Sequence, residues 1–392
     1  MTEPRDFILT QENSRNQQYH IAVVSRTTGC ANALAPTMAL LQDLGHQVNI
    51  LAFPPSWKSL DDAGLHYEKI HSAHDGIEIL ERLEHLDLLL SGTSEEADED
   101  GILWRWAEAH GISTMAFLDS WANYSMRFTT PGSNRPLDLL PDCVAVPDSA
   151  ARTRMTEAGC PADRIVVTGN PAFDAWPNLG QEIGKTWRES ILQPGETIVI
   201  TFVMEVLREY YGDDPDSPTY LGYTEDDALA TAMKAVSDLS EQLCQPILFA
   251  IAPYPGEDSR KLETMVNSIV SNAELQHDSF RAVVLHDHDR YAIVSGSDIV
   301  TGMISTLLYE ASLTDVPVIS IQPRRRFPND LTDLHPEIVV TTEQEAMFQA
   351  MKAALESTRE SERHDSSNSS SLDATRTLAS SIISRIGRDQ NS

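Results

Sequence analysis

The stretch SDIVTGMISTLLYEASLTDVPVISIQP (297–323) combines residue types that can hold an anionic, hydroxyl-rich ligand. Gly302 closes an apolar run, and Ser305 and Thr306 follow where a helix should begin. Unpaired backbone N–H groups at such a start, joined by two hydroxyls, suit a diphosphate. Glu310 stands one turn further on, where a carboxylate can accept both hydroxyls of a ribose. The same residues also fit a plain helix start, with Ser305 as its N-cap and Glu310 as a solvated side chain.

A second stretch, FLDSWANYSMRF (117–128), places Asp119 at the end of an apolar run with Trp121, Asn123, Tyr124 and Arg127 behind it. Open α/β sheets bind ligands at the carboxyl ends of their strands. Asp119 is therefore a candidate general base for an acceptor hydroxyl, and its neighbours suit stacking and polar recognition of a sugar. A structural cap salt-bridged to Arg127 is the alternative. In RTTGCAN (26–32), Gly29 allows close backbone approach and Asn32 caps or hydrogen-bonds, although a tight turn that merely needs glycine fits as well. The loop is not GxGxxG, so the dinucleotide fingerprint is absent at its usual place. In SGTSEEADED (91–100), Gly92 and Thr93 are candidates to line the same edge, and the acidic run suits a helix N-terminus.

Arg208, in FVMEVLREYYG, can reach a phosphate, and Tyr254, in APYPGEDSR, can stack on a base. The triplet RRR (324–326) reads as a compensating charge for a diphosphate or as a solvated basic loop. His286 and His288 alternate with Asp287 and Asp289 and share a face, but no third ligand of fixed spacing accompanies them, and no metal site is expected.

The elements that must position these residues follow from hydrophobic periodicity. HIAVVS (20–25) is a short, nearly continuous apolar run, the pattern of a strand covered on both faces. Leu34, Met38, Leu41 and Leu44 then recur at helical spacing, Gly45 stops the helix, and VNILAF (48–53) is the next strand. Strand, helix, strand is a βαβ unit and favours a parallel sheet. Further strands are expected at 86–92, 112–119, 143–148 and 164–169, and in a second half at 197–204, 246–253, 281–287, 298–302, 316–323 and 337–340. Helices are expected between them, among them 95–111, 228–243, 260–271, 305–314 and 342–356. The fold class is thus α/β, with two Rossmann-like domains and a cleft between them.

The expected organisation is a polar lead (1–19), a first domain (20–170), a second domain (171–356), a polar Ser-rich loop (357–371) and a C-terminal helix with its tail (372–392). In that last segment Leu378, Ile382 and Ile386 form an apolar stripe that must pack on something.

The net charge of -30 argues against a nucleic-acid-binding surface and against docking to anionic lipid. Basic residues are skewed, with 23 Arg and 6 Lys, and the acidic balance fits either adaptation to high salt or an ordinary acidic cytoplasmic protein. No signal-peptide core opens the chain, no run approaches a membrane span, and four scattered cysteines fit a reducing compartment; a cytoplasmic location is expected.

The same residues carry a family resemblance. GCANALAP, the run from DCVAVPDS through AGCPADRIVVTGNPAFD, GSDIVTGMISTLLYEASLTDVPVI and the terminal DATRTLASSIISRI together resemble the GT-B fold. That fold is shared by nucleotide-sugar glycosyltransferases and the non-hydrolysing UDP-N-acetylglucosamine 2-epimerases. TGNPAFD (168–174) is the most specific piece. The resemblance implies a C-terminal helix that returns to the first domain. It also implies a donor site in which the serine–threonine turn holds a diphosphate and Glu310 holds ribose. The sequence departs from the epimerases in having no acidic residue at Gly92 or Thr93, and in showing Tyr254–Pro255 where a histidine–proline pair is usual.

The expected activity is transfer of a sugar from a nucleoside diphosphate donor, most simply UDP-linked, to an acceptor hydroxyl. Helix N-termini and arginines would stabilise the departing diphosphate, so no tightly bound cofactor is expected. The acceptor is unknown, and a homodimer is compatible with the architecture. The alternatives are a 2-epimerase-like or sugar-nucleotide-hydrolysing enzyme, and a catalytically silent binding protein on the same fold.

Overall fold

The computed structural model describes residues 17–94, 98–176, 181–254, 256–272, 275, 279–286, 289–361 and 373–389. The chain divides into two compact units, Met1–Asp174 with Ser371–Ser392, and Ala175–Ser370.

The first unit runs β1 (His20–Ser25), α1 (Thr28–Asp43), β2 (Gln47–Ala52), α2 (Trp57–Asp62), β3 (Glu68–Lys69), α3 (Ala73–Leu80), β4 (Leu88–Ser91), α4 (Glu99–Ala109), β5 (Ser113–Phe117), β6 (Cys143–Val146), α5 (Ser149–Glu157) and β7 (Ile165–Val167). Its sheet has the order β3-β2-β1-β4-β5-β6-β7 and every pairing is parallel. The apolar runs explain this. Ile21 to Val24 are all fully buried, as a strand covered by helices on both faces requires.

The second unit runs α6 (Gln181–Ile191), β8 (Ile198–Val203), α7 (Leu207–Tyr211), α8 (Glu225–Leu243), β9 (Ile247–Ala252), α9 (Ser259–Asn272), β10 (Phe280–Val284), α10 (Arg290–Gly296), β11 (Ile299–Gly302), α11 (Thr306–Ser312), β12 (Val318–Ile321), α12 (Asp330–Asp333), β13 (Ile338–Thr341) and α13 (Gln344–Ser361). The sheet order β10-β9-β8-β11-β12-β13 repeats that of the first unit without a counterpart of β7, again wholly parallel. In each sheet the order reverses beside the opening strand, so β1 lies next to β4 and β8 next to β11. The registers Val24↔Ser91 and Val203↔Gly302 bring the carboxyl ends of those strands level. The loops that leave them are the switch-point loops where such sheets place ligands.

The chain then returns to the first unit as α14 (Ala374–Asp389). Leu378, Ile382 and Ile386 are buried in the first unit's core with Leu34, Met38 and Phe117, as the apolar stripe predicts. Both units are therefore Rossmann-like, and the C-terminal helix completes the first.

Several elements differ from the sequence reading. α1 begins at Thr28, so Gly29 and Asn32 lie in its first turns and not in a loop; the cap is Thr27, whose side chain accepts from the Cys30 N–H at 3.1 Å. α8 begins at Glu225, three residues early, because Thr224 and Asp227 form a capping box. β3 is a two-residue edge strand with both side chains exposed, which leaves no hydrophobic trace in the sequence. α13 continues to Ser361, into the stretch expected as a loop, and residues 362–371 of that stretch lie outside the described residues. Among the described residues no helix is long and apolar enough to cross a membrane.

Candidate functional site

In the second unit the switch-point edge is built by the ends of β8 and β11. A Cβ at Gly302 would meet the Val203 carbonyl at 2.8 Å, so glycine is what lets the two strand ends close together. Ser305 caps α11, its side chain accepting from the Leu307 N–H at 3.3 Å, and its hydroxyl hydrogen-bonds the carboxylate of Glu205 just beyond β8. Burial pushes the Glu205 carboxyl above its ordinary range, and the Ser305 contact opposes that. Thr306 is exposed on the first turn of α11.

Glu310 is not the solvated helix residue of the plain reading. It is 6% exposed, and Arg290 Nη1 donates to its two oxygens at 3.2 and 3.1 Å. Burial pushes its carboxyl up to about 7, with the Arg290 charge acting against the rise. Arg290 lies across the rings of Trp176 and Tyr291, its guanidinium carbon 5.8 and 4.8 Å from their centroids.

Tyr254 follows β9, half-buried, with its hydroxyl 3.3 Å from that of Tyr210. That hydrogen bond, then burial and the nearby Glu205 and Glu209 carboxylates, push its phenol well above the usual range. Arg208 is engaged elsewhere: Nε meets Asp213 at 3.2 Å, Nη1 meets Glu225 at 3.5 Å and Nη2 meets Asp226 at 3.0 Å. A phosphate would have to compete with these carboxylates for it. The 324–326 arginines are likewise occupied, Arg324 by Asp227, Arg325 by Asp333, and Arg326 over the Tyr220 ring.

The first unit's edge joins β1, β4 and β5. Asp119 sits beyond β5 with Arg127 Nη1 3.5 Å away, and both side chains are largely buried. Burial raises the Asp119 carboxyl, and Arg127 opposes the rise. A Cβ at Gly29 would lie 2.8 Å from Asp119 Oδ2, so the first turn of α1 comes against the carboxylate only because residue 29 is glycine. Asn32 is half-buried further along that helix.

Arg127 Nη1 also donates to Thr93 Oγ1 at 3.1 Å, and its Nε donates to the Ala122 carbonyl at 3.1 Å. Thr93 is 2% exposed, so its hydroxyl serves Arg127. Gly92 is buried because a Cβ there would stand 2.1 Å from Cys30 Sγ. Trp121 is buried too, stacked on Phe173 at 6.5 Å and donating from Nε1 to Asp148 at 2.6 Å. Asn123 is exposed with a positive φ of 58°, and its carbonyl accepts from the Arg127 N–H at 3.2 Å; Tyr124 is half-buried beside it. The structure thus gathers Gly29, Thr93, Asp119 and Arg127 into one polar cluster, with Gly92 and Trp121 as packing around it.

Beside that cluster lies a group that the sequence reading did not single out. Arg26 pairs with Asp98 and donates to Ser94 Oγ at 3.1 Å, and Ser94 hydrogen-bonds Asp100 at 2.6 Å. Asp100 is 1% exposed, and burial pushes it up to about 6. Its signal in the sequence was an acidic run that reads more simply as helix-dipole chemistry. Glu205 and Arg290 were missed for a similar reason, each being one charged residue among several. Among the described residues no group of three or more His, Cys, Asp or Glu side chains is placed to hold a metal; Asp287 and His288 lie outside them, and His286 pairs with Glu263 at 2.8 Å.

No protein-family model matches the sequence, and no curated protein matches it. Solved structures do match the fold. The UDP-GlcNAc 2-epimerase of Neisseria meningitidis, bound to UDP-GlcNAc, is similar at a TM-score of 0.65 and 12% identity, covering 93% of this chain and 100% of its own. The UDP-GlcNAc 2-epimerase of Methanocaldococcus jannaschii is similar at 0.64 and 11% identity, covering 93% and 99%. A glycosyltransferase of Rickettsia africae is similar at 0.57 and 13% identity, covering 94% of each chain. The chain shares the GT-B-like fold of these structures, as the motif resemblance implies.

Proposed function

We propose that the protein is an enzyme that processes a nucleoside diphosphate sugar, with UDP as its nucleotide, and that it acts on the sugar in the manner of a 2-epimerase. The observation that carries this reading is the end-to-end fold match, which is closer to the epimerases than to the glycosyltransferase. Transfer to an acceptor hydroxyl, the reading that the motifs favour, is our second reading.

The second unit would bind the nucleotide. Ser305 and Thr306 would meet the diphosphate, Glu310 the ribose, and Gly302 would admit the ligand close to the backbone. Tyr254, on the neighbouring strand end, offers a ring face to the base. Arg208 would contribute only by leaving its carboxylates. Asp119 is the proton-transfer group, since burial favours its neutral form while Arg127 favours the charged one, so both forms are within reach of a proton exchange. In an epimerase-like reaction it would take the proton from a sugar carbon.

Glycosyl transfer keeps one specific observation in its favour. Thr93 presents a hydroxyl bound to Arg127 where the epimerases carry an acidic residue, so the second proton-transfer group of a carbon epimerisation is not at that position. In transfer, Asp119 would instead deprotonate the acceptor hydroxyl, with Asn123 and Tyr124 beside it.

Incubation with UDP-N-acetylglucosamine in D2O without acceptor tests the proposal, followed by proton NMR. Deuterium at the sugar's C2, or the 2-epimer, is the expected result. UDP release that depends on an added acceptor would move the assignment to transfer, and failure to bind UDP at all would sink both.

A further inference from the structure

Glu310 carries a carboxylate that is 8% exposed at the side chain, and among the described residues only Arg290 hydrogen-bonds it. A carboxylate has about four acceptor sites, and burying one with half of them unused is unfavourable unless another donor arrives. Arg290 reaches both oxygens through one nitrogen, Nη1, while Nη2 donates to the Tyr291 hydroxyl at 3.0 Å. One acceptor direction therefore remains on each oxygen, the pattern that a vicinal diol satisfies with two parallel donors.

The guanidinium is itself held firmly. It lies over the Trp176 and Tyr291 rings, which stand 4.7 Å apart between centroids. Asp289 caps α10 by accepting from the Tyr291 and Ala292 N–H groups at 2.7 and 3.2 Å, which fixes Arg290 as the first residue of the helix. α10 in turn lies tightly on α6. A Cβ at Gly184 would meet the Ser295 carbonyl carbon at 2.4 Å, and one at Gly296 would meet Trp187 at 2.5 Å.

We propose that Arg290 is a positioning residue: braced by Trp176 and Tyr291, it aims the Glu310 carboxylate so that its free acceptor sites take the 2′- and 3′-hydroxyls of a nucleoside diphosphate. This rests on the nucleotide-binding reading above and adds its geometric origin. Arg290 touches no ligand in this scheme. Its effect passes through Glu310, so it should depend on the hydroxyls that Glu310 receives.

The test is calorimetric binding of UDP and of 2′-deoxy-UDP to the full chain and to Arg290→Met, Arg290→Lys and Glu310→Gln. Arg290→Met should weaken UDP about tenfold and 2′-deoxy-UDP by about threefold or less, because one of the hydroxyls it serves is already gone. Arg290→Lys keeps a charge but not the planar grip, and should recover only part of the loss; it also serves as the probe should the methionine variant fold poorly. Equal losses for both nucleotides in each Arg290 variant would overturn the positioning role while leaving the binding site standing. Wild-type protein that binds UDP no better than Glu310→Gln would instead overturn the nucleotide reading, and the positioning role with it.

Discussion

The carboxylate of Asp174 accepts hydrogen bonds from the backbone N–H and the hydroxyl of Thr375, which lies 201 residues further along the chain. Its other oxygen takes the Ala374 N–H at 3.0 Å. Asp174 closes the TGNPAFD segment, in which Asn170 caps the short turn at Pro171–Phe173 and Gly169 adopts a φ of +79° with Ala374 pressed against it. The most specific motif in the sequence is thus a bracket for the last helix: it satisfies orphan N–H groups at the start of α14 and so sets where the stripe of Leu378, Ile382 and Ile386 enters the core.

Asp174→Ala should therefore cost about 1–2 kcal/mol of stability, the loss of a cap with several acceptor contacts. Gly169→Ala should cost more than a simple cap, since its Cβ would fall 2.6 Å from that of Ala374 and the backbone is left-handed there. Urea denaturation followed by circular dichroism reads both; a wild-type midpoint for Asp174→Ala would mean that the apolar stripe alone docks the helix.

The contact between Gly92 and Cys30 predicts a second effect. Gly92→Ala sets a methyl group 2.1 Å from Sγ and 2.6 Å from Cβ of Cys30, an overpacking worth about 1–3 kcal/mol. In a Cys30→Gly background both atoms are gone, and the same substitution should cost much less. Additive losses in the double variant would show that the crowding is relieved elsewhere.

If Glu310 receives the ribose as proposed, nucleotide binding should depend on pH. Its unfolded value is 4.5 and its folded value about 7, so between these limits the folded chain holds a proton that the unfolded chain has released. The residue accordingly favours folding at the acid end, and that contribution is lost as pH rises through about 7. Binding runs the other way, because the ionised carboxylate is the better acceptor. UDP affinity should climb between pH 6 and pH 8, and Glu310→Gln should flatten the profile as well as lower it. Calorimetric titrations across that range check the sign.

Asp119→Asn should lower turnover by about a hundredfold or more while leaving UDP affinity within about twofold. Arg127→Ala removes the charge that opposes the burial of Asp119, so its carboxyl rises further and the onset of activity should move to higher pH. A pH–rate profile unchanged by Arg127→Ala would separate Asp119 from the reaction.

The strands other than β3 were legible because their signal is continuous and local. Ile198–Val203, apolar but for Thr201, and Ile247–Ala252, apolar throughout, are buried along their whole length, and no partner need be known to recognise them. The returning helix was legible for the same reason, in the spacing of three aliphatic residues. What lay hidden depends on partners distant in sequence. Glu310 stays open between a ribose contact and a solvated side chain until Arg290, twenty residues earlier on another helix, is seen to hold it. Arg208 promises a phosphate contact until Asp213, Glu225 and Asp226 are found around it. Gly29 suggests a loop because glycine weakens a helix, yet here the requirement is a carboxylate at the helix's first turn.

The return of α14 also bears on how the protein is made. A ribosome delivers all seven strands of the first unit before any of the second, but Leu378, Ile382 and Ile386 arrive only after both sheets have been synthesised. Until then the nascent first unit presents an open apolar seam along α1, a surface that invites chaperone capture or mispairing. The unit that begins to fold first is completed last.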